Sequence, residues 1–233
     1  MQGVRKKCTF ISMKKPISHT QKTLNVWAIV LILWSMYRTY FKTELPIWFD
    51  EFIAKPMIFL IPVHYFITRV EKKHFFENVD FTPRHLRSDF LIGLGAGLLF
   101  VISGLIAYYM RYQSVPHLQE VFSPSLFLYT LAVAFASSIT EEILSRGFVL
   151  KRLVSESNNA ISAVFLASFL FFFLHIPILF SNPDMRGMVL LQVMLTDILL
   201  SFAVSFIYLQ RRNIIIPILI HAFYNLSIYL FLQ

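Results

Sequence analysis

The chain has 233 residues, of which 57% are hydrophobic and only 15% charged, and its mean hydropathy is +0.64. Soluble domains carry about a quarter charged residues, so a water-soluble globule is excluded, as is a disordered chain; a single all-α, polytopic membrane domain is expected. The formal net charge of +8, from 21 Lys and Arg against 13 Asp and Glu, is assigned to membrane topology rather than to nucleic acid by the positions of the cations.

Residues 1–22 form a basic tail (Arg5, Lys6, Lys7, Lys14, Lys15, Lys22) without a small-residue cleavage site. The tail is expected in the cytoplasm, against anionic lipid, with the first span retained as an anchor. The lone cysteine, Cys8, lies in it and excludes a disulfide framework or a multi-cysteine metal site.

Hydrophobic runs between charged flanks then predict about seven transmembrane helices, within a range of six to eight. They are Thr23–Tyr37, Pro56–Thr68, Phe90–Met110, Ser125–Val149, Ala160–Phe180, Met188–Gln210 and Ile214–Leu232. A span needs ~20 apolar residues. The first two runs fall short, and their flanks are expected to complete them, with Lys22, Arg38, Lys55 and Arg69 snorkelling to the interface. The second run, which holds Pro62 and His64, is the candidate for a re-entrant segment. With the N-terminus cytoplasmic and all seven runs crossing, 16 of the 21 Lys and Arg lie inside, as the positive-inside rule requires. Within the third run Gly93, Gly95, Gly97 and Gly104 read as a small-residue packing face. The organisation is therefore a tail (1–22), N-terminal membrane helices (23–124) and a C-terminal helical core (125–233).

Charged groups inside a span are costly, roughly 2.5–3.5 kcal/mol each on insertion scales, and mark function. The intramembrane set here is Glu141, Glu142, Asp197, His64, His175 and His221, with Asn225 one turn after His221. Glu142 and Arg146 are four apart and share a helix face, so they are expected to pair. Glu141 lies ~100° round the helix, has Ser145 four residues on, and needs a partner from another helix. Ser157-Asn158-Asn159 reads as the turn between the fourth and fifth spans. Glu141 and His175 are equidistant from it and so equally deep in an antiparallel hairpin. Counting from Arg211-Arg212-Asn213 brings His221 to a similar level, about 13–15 Å in.

A carboxylate and a histidine can deprotonate a water, and a second histidine with an amide can stabilise an oxyanion. That is the minimum apparatus for amide hydrolysis without a covalent intermediate. One Glu and two His (Glu141, His175, His221) are also a zinc ligand set, although the helical H-E-x-x-H signature is absent. Asp197 reads as a second support for a site histidine or as a packing residue, and His64 as a packing residue.

Three segments carry a resemblance. Glu141-Glu142-Ile143-Leu144-Ser145-Arg146 resembles the E-E-x-x-x-R motif of the CPBP intramembrane proteases, the CAAX-protease and bacteriocin-processing (Abi) family. Phe171-Phe172-Phe173-Leu174-His175 resembles its F-x-x-x-H motif, and His221-Ala222-Phe223-Tyr224-Asn225 its H-x-x-x-N motif. The resemblance covers roughly 125–230, with the motifs in the family's order. It implies a metal-independent, glutamate-dependent intramembrane endopeptidase in a multi-pass cell membrane, with a bacterial plasma membrane suggested by the short chain. Glu141 and His175 would activate water, and His221 and Asn225 would form the oxyanion hole. The implied partners are membrane lipid and a peptide or protein substrate entering from the cytosolic side, with no nucleic acid and no cofactor. Two other classes compete: a non-proteolytic bacteriocin-immunity or scaffold protein, which needs no Glu141, and a small proton-coupled transporter using Glu141 and Asp197, for which no internal repeat speaks.

Overall fold

A computed structural model describes residues 17–41, 45–114, 123–157, 159–181 and 187–231. The tail to residue 16, with Cys8, and Asn158 of the expected turn lie outside the described residues. Among those described there is no strand. Seven long helices follow in order: α1 (His19–Tyr40), α2 (Ile47–Val70), α3 (Leu86–Tyr112), α4 (Pro124–Glu156), α5 (Ala160–Ser181), α6 (Gly187–Arg211) and α7 (Ile215–Phe231).

Local chemistry sets the helix ends. Ser18 accepts a hydrogen bond from the Gln21 amide and caps α1, and Ser123 does the same for α4 through Leu126, followed by Pro124 in the first turn. Asn159 Oδ1 accepts from the Ile161 amide before α5, and Asn213 Oδ1 accepts from the Ile215 amide at the head of α7. Polar breaks read as turns in the sequence thus act by satisfying orphan backbone N–H groups.

The chain is an all-α, multi-pass membrane protein. Five helices, α2 to α6, contain segments long and apolar enough to cross a membrane; α7, at 17 residues, is a shorter apolar helix. Only 17% of the most apolar window of α3 and 39% of that of α4 are buried within the fold. The remaining apolar surface faces outward, far more than a soluble monomer exposes, and lipid is its matching environment.

The second run and the cations that flank it need correction. The second run is a 24-residue helix, Ile47–Val70, rather than Pro56–Thr68. It starts earlier because Lys55, read as the flanking cation, lies inside the helix together with Asp50 and Glu51. Lys55 is 2% exposed and Arg38, ion-paired with Asp50 at 3.5 Å, is 7% exposed, so neither snorkels. Arg146 is equally buried at 1%, so all three cations belong to the bundle interior and drop out of the topology count.

The segment between α2 and α3 ties the helix ends together on one face. Arg152 of α4 donates to both carboxylate oxygens of Glu71 at 2.9 and 2.5 Å and to Asn78 at 2.6 Å. Asp80 pairs with Lys151 and accepts from Tyr208 of α6. Asp89 accepts from Arg211 at 2.6 Å and from Asn213 at 2.6 Å. Thr20 of α1 donates to Glu156 of α4. The start of α1, the end of α2, the start of α3, the end of α4, the end of α6 and the start of α7 therefore share one face, as successive antiparallel helices require. Val79 of this segment sits so close to α4 that a Cβ on Gly147 would lie 2.9 Å from its side chain.

Helices α3 and α7 approach closely along three of the four glycines. A Cβ added at Gly93 would lie 2.8 Å from Leu219, at Gly97 2.8 Å from Phe223, and at Gly104 1.9 Å from Ser227 Oγ. The partner residues recur every four positions, one helix face. Gly95 faces open space and does not belong to the packing face, because it lies half a turn round from Gly93 and Gly97.

Candidate active site

Helix α4 changes geometry at the paired glutamates. Up to Glu142 it is α-helical; Ile143–Leu150 follow with π-helical i→i+5 hydrogen bonding. Such widened turns are frequent at functional sites. Ser145 Oγ donates to the Glu141 carbonyl at 2.6 Å, satisfying an acceptor near the change of pitch.

Glu141, 6% exposed, stands where α2, α4, α5 and α7 meet. Its Oε1 accepts from Lys55 Nζ of α2 at 2.9 Å and from Ser137 Oγ, one turn earlier on α4, at 3.0 Å. Its Oε2 faces His175 Nε2 at 3.5 Å and His221 Nε2 at 3.7 Å. Oε2 is buried and takes no hydrogen bond from the described residues. One oxygen is thus fully engaged, and the other is aimed between two imidazoles.

The far nitrogen of each ring is held. His175 Nδ1 lies 3.1 Å from the Phe171 carbonyl. A carbonyl only accepts, so Nδ1 carries the proton and, in the neutral ring, Nε2 presents its lone pair to Glu141. His221 Nδ1 lies 2.7 Å from Glu142 Oε1. The same oxygen accepts from Arg146 Nη1 at 2.7 Å. Glu142 therefore has two partners: the helix-mate Arg146 and the histidine on α7.

Arg146 crosses to α6 as well. Its Nη2 donates to the Ser201 carbonyl at 3.1 Å and to Ser201 Oγ at 2.9 Å. Its guanidinium lies over the Phe171 ring at 4.6 Å, and that ring also abuts His175 at 4.7 Å and His221 at 5.7 Å. Phe171 is a shared platform, its π face on the cation and its surroundings on both imidazoles.

Asn225 donates from Nδ2 to Ser138 Oγ at 3.3 Å, which lies one turn before Glu141 on α4. Asp197 does not contact a site histidine through a hydrogen bond; its Oδ1 accepts from Tyr224 at 2.9 Å, whose hydroxyl also meets Thr196 at 2.8 Å. His64 is exposed and lies against Phe75. Among the described residues no three His, Cys, Asp or Glu side chains form a group that could hold a metal ion.

Several contributors escaped the sequence reading. Lys55 reads in the sequence only as a snorkelling flank of the second run. Ser137, four residues before Glu141, has the spacing of a helix-mate, but only Ser145 on the C-terminal side entered the reading. Ser201 and the Glu142–His221 bond have no local signal, since both join helices far apart in the chain.

Residues 123–227 match the family model described as Rce1-like, type II CAAX prenyl endopeptidase. This segment is a Rce1-like domain of the CAAX protease family. Comparison with curated proteins and with solved structures gives no match. The Rce1-like domain spans α4 to α7 up to Ser227 and contains Glu141, His175, His221 and Asn225; α1, α2 and α3 lie outside it. The family carries CAAX-type intramembrane endopeptidase activity, with a membrane-associated peptide as substrate in a lipid environment.

Proposed function

We propose that this endopeptidase hydrolyses its membrane-associated substrate with a water activated by Glu141 and His175, without a metal, the peptide entering from the cytosolic side. The observation that carries the reading is the convergence of His175 Nε2 and His221 Nε2, from two other helices, on Glu141 Oε2 at 3.5 and 3.7 Å. A water hydrogen-bonded to Glu141 Oε2 and His175 Nε2 loses a proton to the carboxylate as its oxygen bonds to the scissile carbonyl carbon. The carbonyl π pair moves onto oxygen, giving a tetrahedral oxyanion. His221, its Nδ1 held by Glu142, turns Nε2 to that oxyanion as a hydrogen-bond donor. Asn225 Nδ2 supplies a second donor. The proton on Glu141 then passes to the leaving nitrogen as the C–N bond breaks, which regenerates the carboxylate.

Lys55 supports the metal-free reading. Its ammonium already stands 2.9 Å from Glu141 Oε1, and a divalent ion beside the same carboxylate would meet that charge at short range. Cytosolic entry is supported by depth. Glu141 lies ten residues before Lys151, about 15 Å at the helical rise, and Lys151 and Arg152 are anchored to Asp80 and Glu71 on the shared face of helix ends.

The test compares peptide termini of membrane and secreted proteins in the native host for wild type, a deletion and Glu141→Ala. The expected result is a set of termini lost equally in the deletion and in Glu141→Ala, with the variant present at wild-type abundance. A Glu141→Ala strain indistinguishable from wild type, beside a defective deletion, would refute the mechanism and point to a binding role.

A further inference from the structure

The Rce1-like domain accounts for the glutamates, histidines and asparagine, yet the strongest cation at Glu141 comes from outside it. Lys55 belongs to α2 and is buried. Its Nζ donates to Glu51 Oε2 at 2.5 Å, Ser137 Oγ at 2.8 Å and Glu141 Oε1 at 2.9 Å. An ammonium has three N–H donors, and all three are used. The ammonium also lies 5.7 Å from the centre of the Trp34 ring, so α1 closes the cage from the other side. Ser137 accepts from Lys55 and donates to Glu141 Oε1, completing a three-membered hydrogen-bonded ring.

We propose that Lys55 is a positioning residue for peptide hydrolysis: held by Glu51, it clamps Glu141 Oε1 so that Oε2 points between His175 and His221. The inference rests on Glu141 being the base. Two features of the geometry carry it. Oε1 is saturated by Lys55 and Ser137, so the carboxylate cannot rotate without breaking two buried bonds. The charge count around Glu141 also needs the ammonium. Glu142 and Arg146 lie on its own helix, Glu51 on α2, His175 on α5, and His221 and Tyr229 on α7. Arg38 of α1 also acts on Glu51, and Asp197 of α6 acts on His175, so without Lys55 no lysine or arginine among the described residues stands directly against the Glu141 carboxylate.

The experiment uses the full chain in lipid nanodiscs and a quenched fluorogenic peptide bearing a prenylated cysteine and a C-terminal Cys-Ala-Ala-X-type sequence. Lys55→Met alone strands two carboxylates and risks misfolding. The informative variant is therefore Lys55→Met combined with Glu51→Gln, which removes one buried charge of each sign. It is expected to keep the wild-type thermal midpoint and KM, while kcat falls about 100-fold, the scale of a ~1 Å misplacement of a reacting group. Wild-type kcat in this double variant overturns the proposal, because Lys55 then serves only to balance Glu51. A loss confined to KM overturns it too. Glu141→Gln is assayed in parallel. If it is inactive while the double variant is fully active, only the role of Lys55 fails. If Glu141→Gln cleaves at the wild-type rate, the base assignment fails and the proposal falls with it.

Discussion

Arg146 offers a prediction whose size follows from its contacts. It is 1% exposed and holds Glu142, Ser145 and both the carbonyl and hydroxyl of Ser201, with its guanidinium on Phe171. Arg146→Ala removes the cation, leaves the Glu142 carboxylate buried with His221 alone, and removes the guanidinium bonds to the Ser201 carbonyl and hydroxyl. Breaking a buried pair by deleting one partner costs about 3–5 kcal/mol. Lost packing against the ring belongs to the same truncation. Against a total stability of about 5–15 kcal/mol, that is a severe defect. Detergent-denaturant titration of the purified chain measures it, with the double variant Arg146→Met/Glu142→Gln as the control. The double variant removes both charges and is expected to recover most of the stability. It is still expected to be inactive, because the neutral amide introduced by Glu142→Gln cannot replace the carboxylate on His221 Nδ1. A loss below about 1 kcal/mol for Arg146→Ala, in the range of an exposed pair, would refute the view of Arg146 as a buried three-helix tie.

Gly97→Ala is expected to lower the thermal midpoint, because its Cβ would lie 2.9 Å from Phe223 Cβ, whereas Gly95→Ala meets nothing within 4 Å and is expected to be neutral or stabilising; equal effects at the two positions would contradict the α3–α7 packing. Arg152→Ala removes a two-pronged, charge-assisted contact with Glu71 and the bond to Asn78 and is expected to cost about 2–3 kcal/mol, together with faster proteolysis between residues 71 and 89; unchanged protection would show that the segment does not depend on it. Treating purified, active protein with a chelator is expected to leave cleavage unchanged; loss restored by added zinc would overturn the metal-free mechanism.

Much of this architecture was legible in the chain. Four of the expected runs sit within helices whose ends differ by only a few residues, and the last extends one residue past its helix at each end, since a run of apolar residues bounded by polar ones obeys bilayer thickness whatever it packs against. The equal depths of Glu141 and His175 followed from counting back from one turn, because rise per residue is constant in a helix. The E-x-x-x-R spacing placed Glu142 and Arg146 on one face for the same reason. The reading failed where polar residues near a predicted helix end belonged inside the helix. Lys55 looked like a flank, and only the neighbours that bury it distinguish a caged ammonium from a snorkelling one.

The sequence by itself therefore determined the class, most of the helical segments and the residues capable of chemistry, all properties of local composition and helical period. The tertiary structure alone decided how they are wired. It put Lys55 on one oxygen of Glu141 and two imidazoles beside the other, made Glu142 a bridge between Arg146 and His221, set Phe171 beneath Arg146, and turned Asp197 to Tyr224. The reason is physical. Period and composition say which face of a helix a side chain occupies, but a hydrogen bond between helices depends on their rotation and offset to within an ångström, and that is fixed by the packing of the whole bundle.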